Sequence, residues 1–255
     1  VDASQIKLVA VDLDGTLLRT DKTISEYTIA VLKRCRESGI KIIYATGRDR
    51  VNTEMIPDGL FDGGVTANGA VAEVNGEVVY SALTPYQTAR PFLMACDKRG
   101  LRIASQADSV DYSNFTVSDE WPWITNFKIV DFSKHDKDAE KIYTYDLTSE
   151  DIQFLKDQLP KELYMVIAMD GLAMIMHKDT TKSKAVAALA GHWGINQSEI
   201  AAFGDDLNDI DMLSHAGIGM AMQNALPEVK AVADYICGDC DEDGMARWIE
   251  DNILK

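Results

Sequence analysis

Residues 6–12, IKLVAVD, make an apolar run that closes on Asp12 and breaks at Gly15. So short an apolar run, with one Lys and a terminal carboxylate, reads as a buried strand feeding a loop. Ser25 stands where an N-cap belongs, ahead of a helix expected from about Glu26 to Ser38, and Gly39 gives that helix its exit. IKIIYAT, residues 40–46, reads as a second strand. Strand, helix and strand in succession form a βαβ unit, whose crossover implies parallel pairing.

VTAN, residues 65–68, continues as a third strand, and VAEVNGEVVYS then alternates around Asn75-Gly76, a pair suited to a type I′ hairpin. From about Leu83 the pattern changes. A helix runs through Phe92 and Met94, followed by a mixed stretch from Asp108 to Trp123, a strand at KIYTYDL, a helix from near Ser149 and a hairpin at YMVIAMDGLAMIMH. TTKSKAVAALAGHWG then restores the earlier rhythm as a helix, EIAAFGDD as strand and loop, LNDIDMLSHAG as helix and IGMAM as strand. The expected fold class is α/β: a Rossmann-like parallel-sheet core made of residues 1–82 and 180–255, with an α+β domain inserted over residues 83–179.

The 25 basic and 41 acidic side chains give a net charge of −16, which argues against a groove for a nucleic-acid duplex, since that needs clustered Lys and Arg. No apolar stretch is long enough to span a membrane, and the opening segment meets Asp12 too early for a signal peptide, so a cytoplasmic protein is expected. Four cysteines, Cys35, Cys96, Cys237 and Cys240, are too few for a disulfide framework and point to free thiols.

Three strand endings carry chemistry: Asp12-Leu-Asp14-Gly15-Thr16, Thr46-Gly47-Arg48, and Gly204-Asp205-Asp206 with Asn208 and Asp209 behind it. Ligands of open parallel sheets bind outside the C-terminal ends of the strands, so these separated segments can share one pocket. Carboxylates crowded there need a compensating cation, proton or hydrogen bonds, and a hard oxygen cage of Asp12, Asp205 and a backbone carbonyl would suit Mg²⁺.

On these motifs the chain resembles the haloacid dehalogenase (HAD) superfamily, specifically Cof-type phosphatases with a type IIB cap. DLDGTLL matches the DxDGT signature, TGR the hydroxyl-bearing second motif, Lys182 ahead of AVAALAGHWGI the family lysine, and GDDLNDIDML the acidic last motif. Ser183 departs from the Gly usual after that lysine, and Lys184 offers a second amine two residues on. The resemblance implies Mg²⁺-dependent hydrolysis of a small phosphorylated metabolite, such as a sugar phosphate, through an aspartyl-phosphate. Asp12 would be the nucleophile and Asp14 the acid–base group. Lys182 would neutralise charge at phosphorus, and the Thr46 hydroxyl with the backbone N–H groups near Leu13 and Gly47 would donate to the phosphoryl oxygens. Mg²⁺ would be held by Asp12, the Asp14 carbonyl and Asp205. Thr16, Gly47, Asn208 and Asp209 are supporting residues, and Arg48 and Asn68 are candidate substrate contacts, each equally suited to a structural role in its loop.

Asp14 favours an alcohol leaving group, although a phosphomutase could use the same carboxylate pair. A phospho-accepting receiver module could also carry two acids, a Thr and a Lys, but it would lack the large insertion expected to act as a lid and to select the substrate. Trp121 and Trp123 are candidates for shaping that insertion's pocket, while Trp193 and Trp248 are expected to cover core surface. Cys237-Gly-Asp-Cys240 has CxxC spacing without a second pair, and Met165, Met169, Met174 and Met176 are expected to fill uneven packing. The acidic run at 239–243 reads as solvated.

Overall fold

The computed structural model describes residues 3–50, 53, 56–168 and 171–255. It divides into two compact units, Val1–Ser81 with Thr181–Lys255, and Ala82–Thr180. The first begins with β1 (Leu8–Val11), every residue of which is buried. Helix α1 (Glu26–Glu37) starts where Ser25 accepts a hydrogen bond from the Thr28 N–H, and its chain exits through Gly39 at φ 83°. Strands β2 (Lys41–Ala45) and β3 (Gly63–Thr66) follow, and then the hairpin of β4 (Val71–Val74) and β5 (Glu77–Ser81). Asn75 and Gly76 turn that hairpin with φ 51° and 81°, as their sequence signals.

The second unit contains α2 (Tyr86–Arg99), β6 (Ile103–Ala107), β7 (Val110–Ser113), the short α3 (Val117–Glu120), β8 (Phe127–Ile129), β9 (Lys141–Thr144), α4 (Ser149–Gln158), β10 (Leu163–Ile167) and β11 (Ala173–His177). Its sheet runs β10-β11-β9-β6-β7-β8, antiparallel except at β7–β8. Phe92, Leu93 and Cys96 of α2 and Leu155 of α4 pack on Ile103, Ile142, Leu163 and Ile175 of the sheet. The stretch read as mixed therefore holds β7 and α3, and β6 precedes it unannounced. Ser105 and Gln106 lie buried within β6, which hides its apolar pattern, and Asp108 and Ser109 turn the β6–β7 hairpin at φ 52° and 59° without the usual glycine. Met176 is buried and Met165 packs against the core, while Met169 lies outside the described residues. Trp121 stacks edge-on with Tyr143 and Tyr145, whereas Trp123 is exposed.

The first unit resumes with α5 (Lys182–His192), β12 (Ile200–Gly204), α6 (Ile210–His215), β13 (Ile218–Ala221), α7 (Pro227–Val232), β14 (Tyr235–Ile236) and α8 (Gly244–Asn252). Its sheet order is β14-β13-β12-β1-β2-β3-β4-β5, parallel from β14 to β3 and antiparallel at the β4–β5 edge. The architecture is α/β and Rossmann-like. Leu8, Leu32, Ile42, Ile43 and Phe203 are fully buried in its core, each worth about 1.5–3 kcal/mol relative to exposure. Trp193 and Trp248 pack partly buried against the same core. β1 lies between β2 and β12, so the ends carrying Asp12, Thr46 and Asp205 are neighbours.

All four cysteines are unbridged and buried. Burial pushes the Cys237 thiol up to about 12 and the Cys240 thiol to about 11, so both are held as neutral thiols at neutral pH. Among the described residues no helix is long and apolar enough to cross a membrane.

Candidate active site

The chain leaves β1 through a tight loop. Leu17 and Leu18 donate backbone hydrogen bonds to the carbonyls of Asp12 and Leu13 at 3.2 and 2.7 Å. Gly15 holds φ 77°, and a Cβ there would run into the Asp205 carboxylate. Both the dihedral and the space demand glycine. Thr16 donates its hydroxyl to Asp205 Oδ1 at 3.1 Å and so ties the β1 loop to the β12 loop.

After β2, Thr46 is buried, and its Oγ1 accepts from the Arg48 N–H at 3.1 Å. Asn68, buried at φ 57°, donates its N–H to the Thr46 carbonyl at 3.0 Å, and its Oδ1 accepts from Asn208 Nδ2 at 2.9 Å. A Cβ on Gly47 would come within 2.9 Å of that same Oδ1. Asn68, just past β3, thus links the loops that follow β2 and β12.

Lys182 opens α5, after the Thr181 cap. Its side chain is wholly buried, and its Nζ donates to Asp12 Oδ1 and Asp209 Oδ1, each at 2.6 Å. Asp209 Oδ2 accepts from the N–H groups of Asp205 and Asp206 at 3.0 and 3.1 Å, which shapes the β12 loop. Lys184 is exposed and donates its N–H to Thr181 Oγ1, so Lys182 is the amine that reaches Asp12. Asp206 points its carboxylate back to the Leu207 N–H.

A model of the haloacid dehalogenase-like hydrolases matches residues 9–249. The chain belongs to that family. Among its relatives are the Bacillus subtilis 5-amino-6-(5-phospho-D-ribitylamino)uracil phosphatase, 28% identical over 98% of this chain and 96% of that protein, and the Yersinia pseudotuberculosis HMP-PP phosphatase, 27% identical over 95% and 94%. A solved HAD subclass IIB sugar phosphatase is 29% identical, covers 96% of this chain and 98% of its own, and superposes with a TM-score of 0.82. The likeness to the Cof-type branch with a type IIB cap therefore extends over both units.

In this hydrolase, carboxylate oxygens of Asp12, Asp205 and Asp209 lie within 4.8 Å of one another, a group that could hold a metal ion. Burial raises the Asp12 carboxyl well above its usual range, and Asp209 and Asp205 add to the rise against the pull of Lys182. Burial, then Asp209, lifts Asp205 to about 7. Lys182 is buried too, yet Asp12 and Asp209 hold it more firmly protonated than a free lysine. One ammonium does not offset three crowded carboxyls, and a hard divalent cation fits the imbalance. Lys182 and Thr16 engage Oδ1 of Asp12 and of Asp205, leaving the other oxygen of each without a protein donor among the described residues.

Asp14 sits apart from that cluster, half-exposed. Arg48 grips it with both prongs, Nε to Oδ2 and Nη2 to Oδ1, each at 2.6 Å, and Lys22 Nζ adds a bond to Oδ1 at 2.8 Å. Hydrogen bonding from Arg48 leads the causes that hold its carboxyl down at about 2. Arg48 thus bonds an acid of the site itself. Lys22 is the contact the sequence did not flag, because an exposed lysine in a Thr-Asp-Lys-Thr turn looks like any surface lysine.

Proposed function

We propose that the chain is a phosphoric monoester hydrolase that releases phosphate from small phosphorylated metabolites, sugar phosphates foremost, through an aspartyl-phosphate on Asp12. The observation that carries this reading is the convergence of Lys182 on Asp12 and Asp209 at 2.6 Å, at the mouth of adjacent parallel strands and two residues from an independently held Asp14. An Asp12 oxygen attacks phosphorus, the bond from phosphorus to the leaving oxygen breaks, and Asp14 supplies the proton that oxygen needs. Asp14 then takes a proton from water as the water attacks phosphorus, which frees phosphate and restores Asp12.

In the arrangement described, Asp14 is ionised at neutral pH, the form required for the second half. A dianionic phosphoryl group competes for Arg48 and raises the proton affinity of Asp14, which favours the form needed for the first half. Lys182, the Thr46 hydroxyl and the backbone N–H groups of Leu13 and Gly47 offset charge on the phosphoryl oxygens. Asp12, Asp205 and the Asp14 carbonyl would hold Mg²⁺, with Asp209 orienting the Asp205 loop. When bound, the ion supplies positive charge that offsets repulsion between carboxylate and phosphate.

Substrate choice is assigned to residues 82–180. Relatives at 27–29% identity are named for quite different phosphorylated compounds, so overall likeness does not fix the leaving group. The test is a phosphate-release screen over sugar phosphates, nucleotides and phosphorylated cofactors. Release is expected with Mg²⁺ and absent in EDTA, and isomer formation without phosphate release would turn the reading toward a mutase.

A second outcome concerns pH. Asp205, at about 7, must shed its proton to ligate a cation. Apparent Mg²⁺ affinity, read by calorimetry, is expected to rise with pH, by up to roughly tenfold per pH unit for each proton displaced, until Asp205 and the raised Asp12 are both ionised. A flat profile from pH 5.5 to 8 would remove Asp205 from the ligand set.

A further inference from the structure

The acidic segment 239–243 is more than a solvated run. Its Cys240 N–H donates to Asn224 Oδ1 at 3.1 Å, and Asn224 Nδ2 donates to the Gly15 carbonyl at 2.7 Å, one residue past Asp14. The Asp241 carboxylate accepts from the Thr20 N–H and hydroxyl, both at 2.8 Å. Asp243, held at φ 58°, accepts from Arg19 at 2.9 and 3.0 Å, from the Ser25 hydroxyl at 2.7 Å and from the Thr28 hydroxyl at 3.1 Å. The segment therefore grips the chain at Arg19–Thr20 and at Ser25–Thr28, and reaches Gly15 through Asn224.

Between those grips stands a small turn. Arg19 N–H donates to the Thr23 carbonyl at 3.0 Å, and Lys22 N–H donates to the Arg19 carbonyl at 2.8 Å. Asp21 Oδ1 accepts from the Thr23 N–H and hydroxyl at 3.0 and 2.6 Å. Lys22 is held at φ 66°, a conformation that costs about 1–2 kcal/mol outside glycine, and from there its Nζ reaches Asp14. An exposed Lys–Asp pair contributes only about 0–1 kcal/mol because both side chains wander. Anchoring the turn fixes the Lys22 backbone, so only the side chain's own rotamers remain to be ordered.

We propose that segment 239–243 positions the Asp14 carboxylate: Asp241 and Asp243 fix the Arg19–Thr23 turn, and Lys22 on that turn, sharing Asp14 Oδ1 with Arg48 Nη2, joins Arg48 in setting the direction in which Asp14 meets the leaving oxygen. This rests on the acid–base role proposed for Asp14. Lys22, Asp241 and Asp243 act through Asp14 and are positioning residues.

Leaving-group chemistry separates positioning from bulk stability. An alkoxide needs a proton as it departs, and p-nitrophenolate does not. Asp14→Asn is expected to lower kcat/KM for a sugar phosphate from the screen about 10³-fold, and far less for p-nitrophenyl phosphate. Lys22→Met and Asp241→Ala are expected to repeat that selectivity in miniature, with about a tenfold loss on the sugar phosphate against about twofold on the aryl ester. The double variant falls no lower than Lys22→Met alone, because both lie on one path. Losses that multiply, equal losses on both substrates, or rates at or above wild type would overturn the positioning role. Thr20→Ala, which deletes only the hydroxyl bond to Asp241, gives the same readout if Asp241→Ala unfolds. Loss of selectivity in Asp14→Asn itself would instead sink the acid–base reading, and the positioning role with it.

Discussion

Asp12→Asn is expected to abolish phosphate release, by about 10⁴-fold or more, and to leave the fold standing. The side chain is 5% exposed and 2.6 Å from Lys182, and an amide of the same shape can fill that space but cannot attack phosphorus. Burial already disfavours charge at Asp12, so a neutral group meets no new desolvation cost, and Lys182 keeps Asp209 as its partner. Stopped-flow phosphate release reads the activity and thermal unfolding reads the fold. Acid-quenched protein should retain label from a ³²P-substrate in the wild type and none in the variant. A variant that turns over at the wild-type rate would end the assignment of Asp12 as nucleophile.

Lys182→Met is expected to damage both activity and stability, the second in a pH-dependent way. The lysine is fully buried between two carboxylates, and removing it leaves them without a counter-charge at a cost of about 3–5 kcal/mol when ionised. Asp12, relieved of the pull of Lys182, responds by binding its proton more tightly when folded. A group whose folded pKa is raised contributes its full stability below the unfolded pKa and loses it as pH rises through the folded value. The Tm gap between wild type and variant in EDTA should therefore be small at pH 4.5 and widen toward pH 8. A gap independent of pH would mean that Lys182 acts through packing alone. Activity is expected to fall about 10³-fold at every pH where both proteins are folded.

The sequence made some of this readable and concealed the rest for physical reasons. β1, α1 and β2 were legible because a buried parallel strand has no polar alternation, and Ser25 and Gly39 mark the helix ends by local chemistry. The Asn75-Gly76 hairpin was legible for the same local reason. β6 was not, because Ser105 and Gln106 are buried for tertiary reasons that no local pattern carries. At the candidate site, Asp12, Thr46, Lys182 and Asp205 were singled out because each sits beside a strand end or matches a motif. An Arg fork suits a substrate phosphate and a carboxylate equally, and that of Arg48 lies on Asp14 in this arrangement. The roles of Asp241 and Asp243 are hidden because an acidic run looks the same whether its oxygens meet water or meet Thr20, Arg19, Ser25 and Thr28. Only the fold brings positions more than 200 residues apart within hydrogen-bond reach.

The central place of β1 has a bearing on how the molecule is made. Its partner β12 comes from far along the chain: Thr16 and Asp205 are 189 positions apart, and Lys182 and Asp12 are 170. Residues 82–180, by contrast, form a unit from one continuous stretch and can close on themselves as soon as they leave the ribosome. The catalytic unit must wait, its first strand open along one edge, until β12 arrives. Until then the nascent chain holds Asp12 and Asp14 without Asp205, so the pocket is assembled only after β12 has emerged. The slowest step in reaching the native state is expected to be the closing of β12 on β1, and with it the gathering of the charges that would handle phosphate.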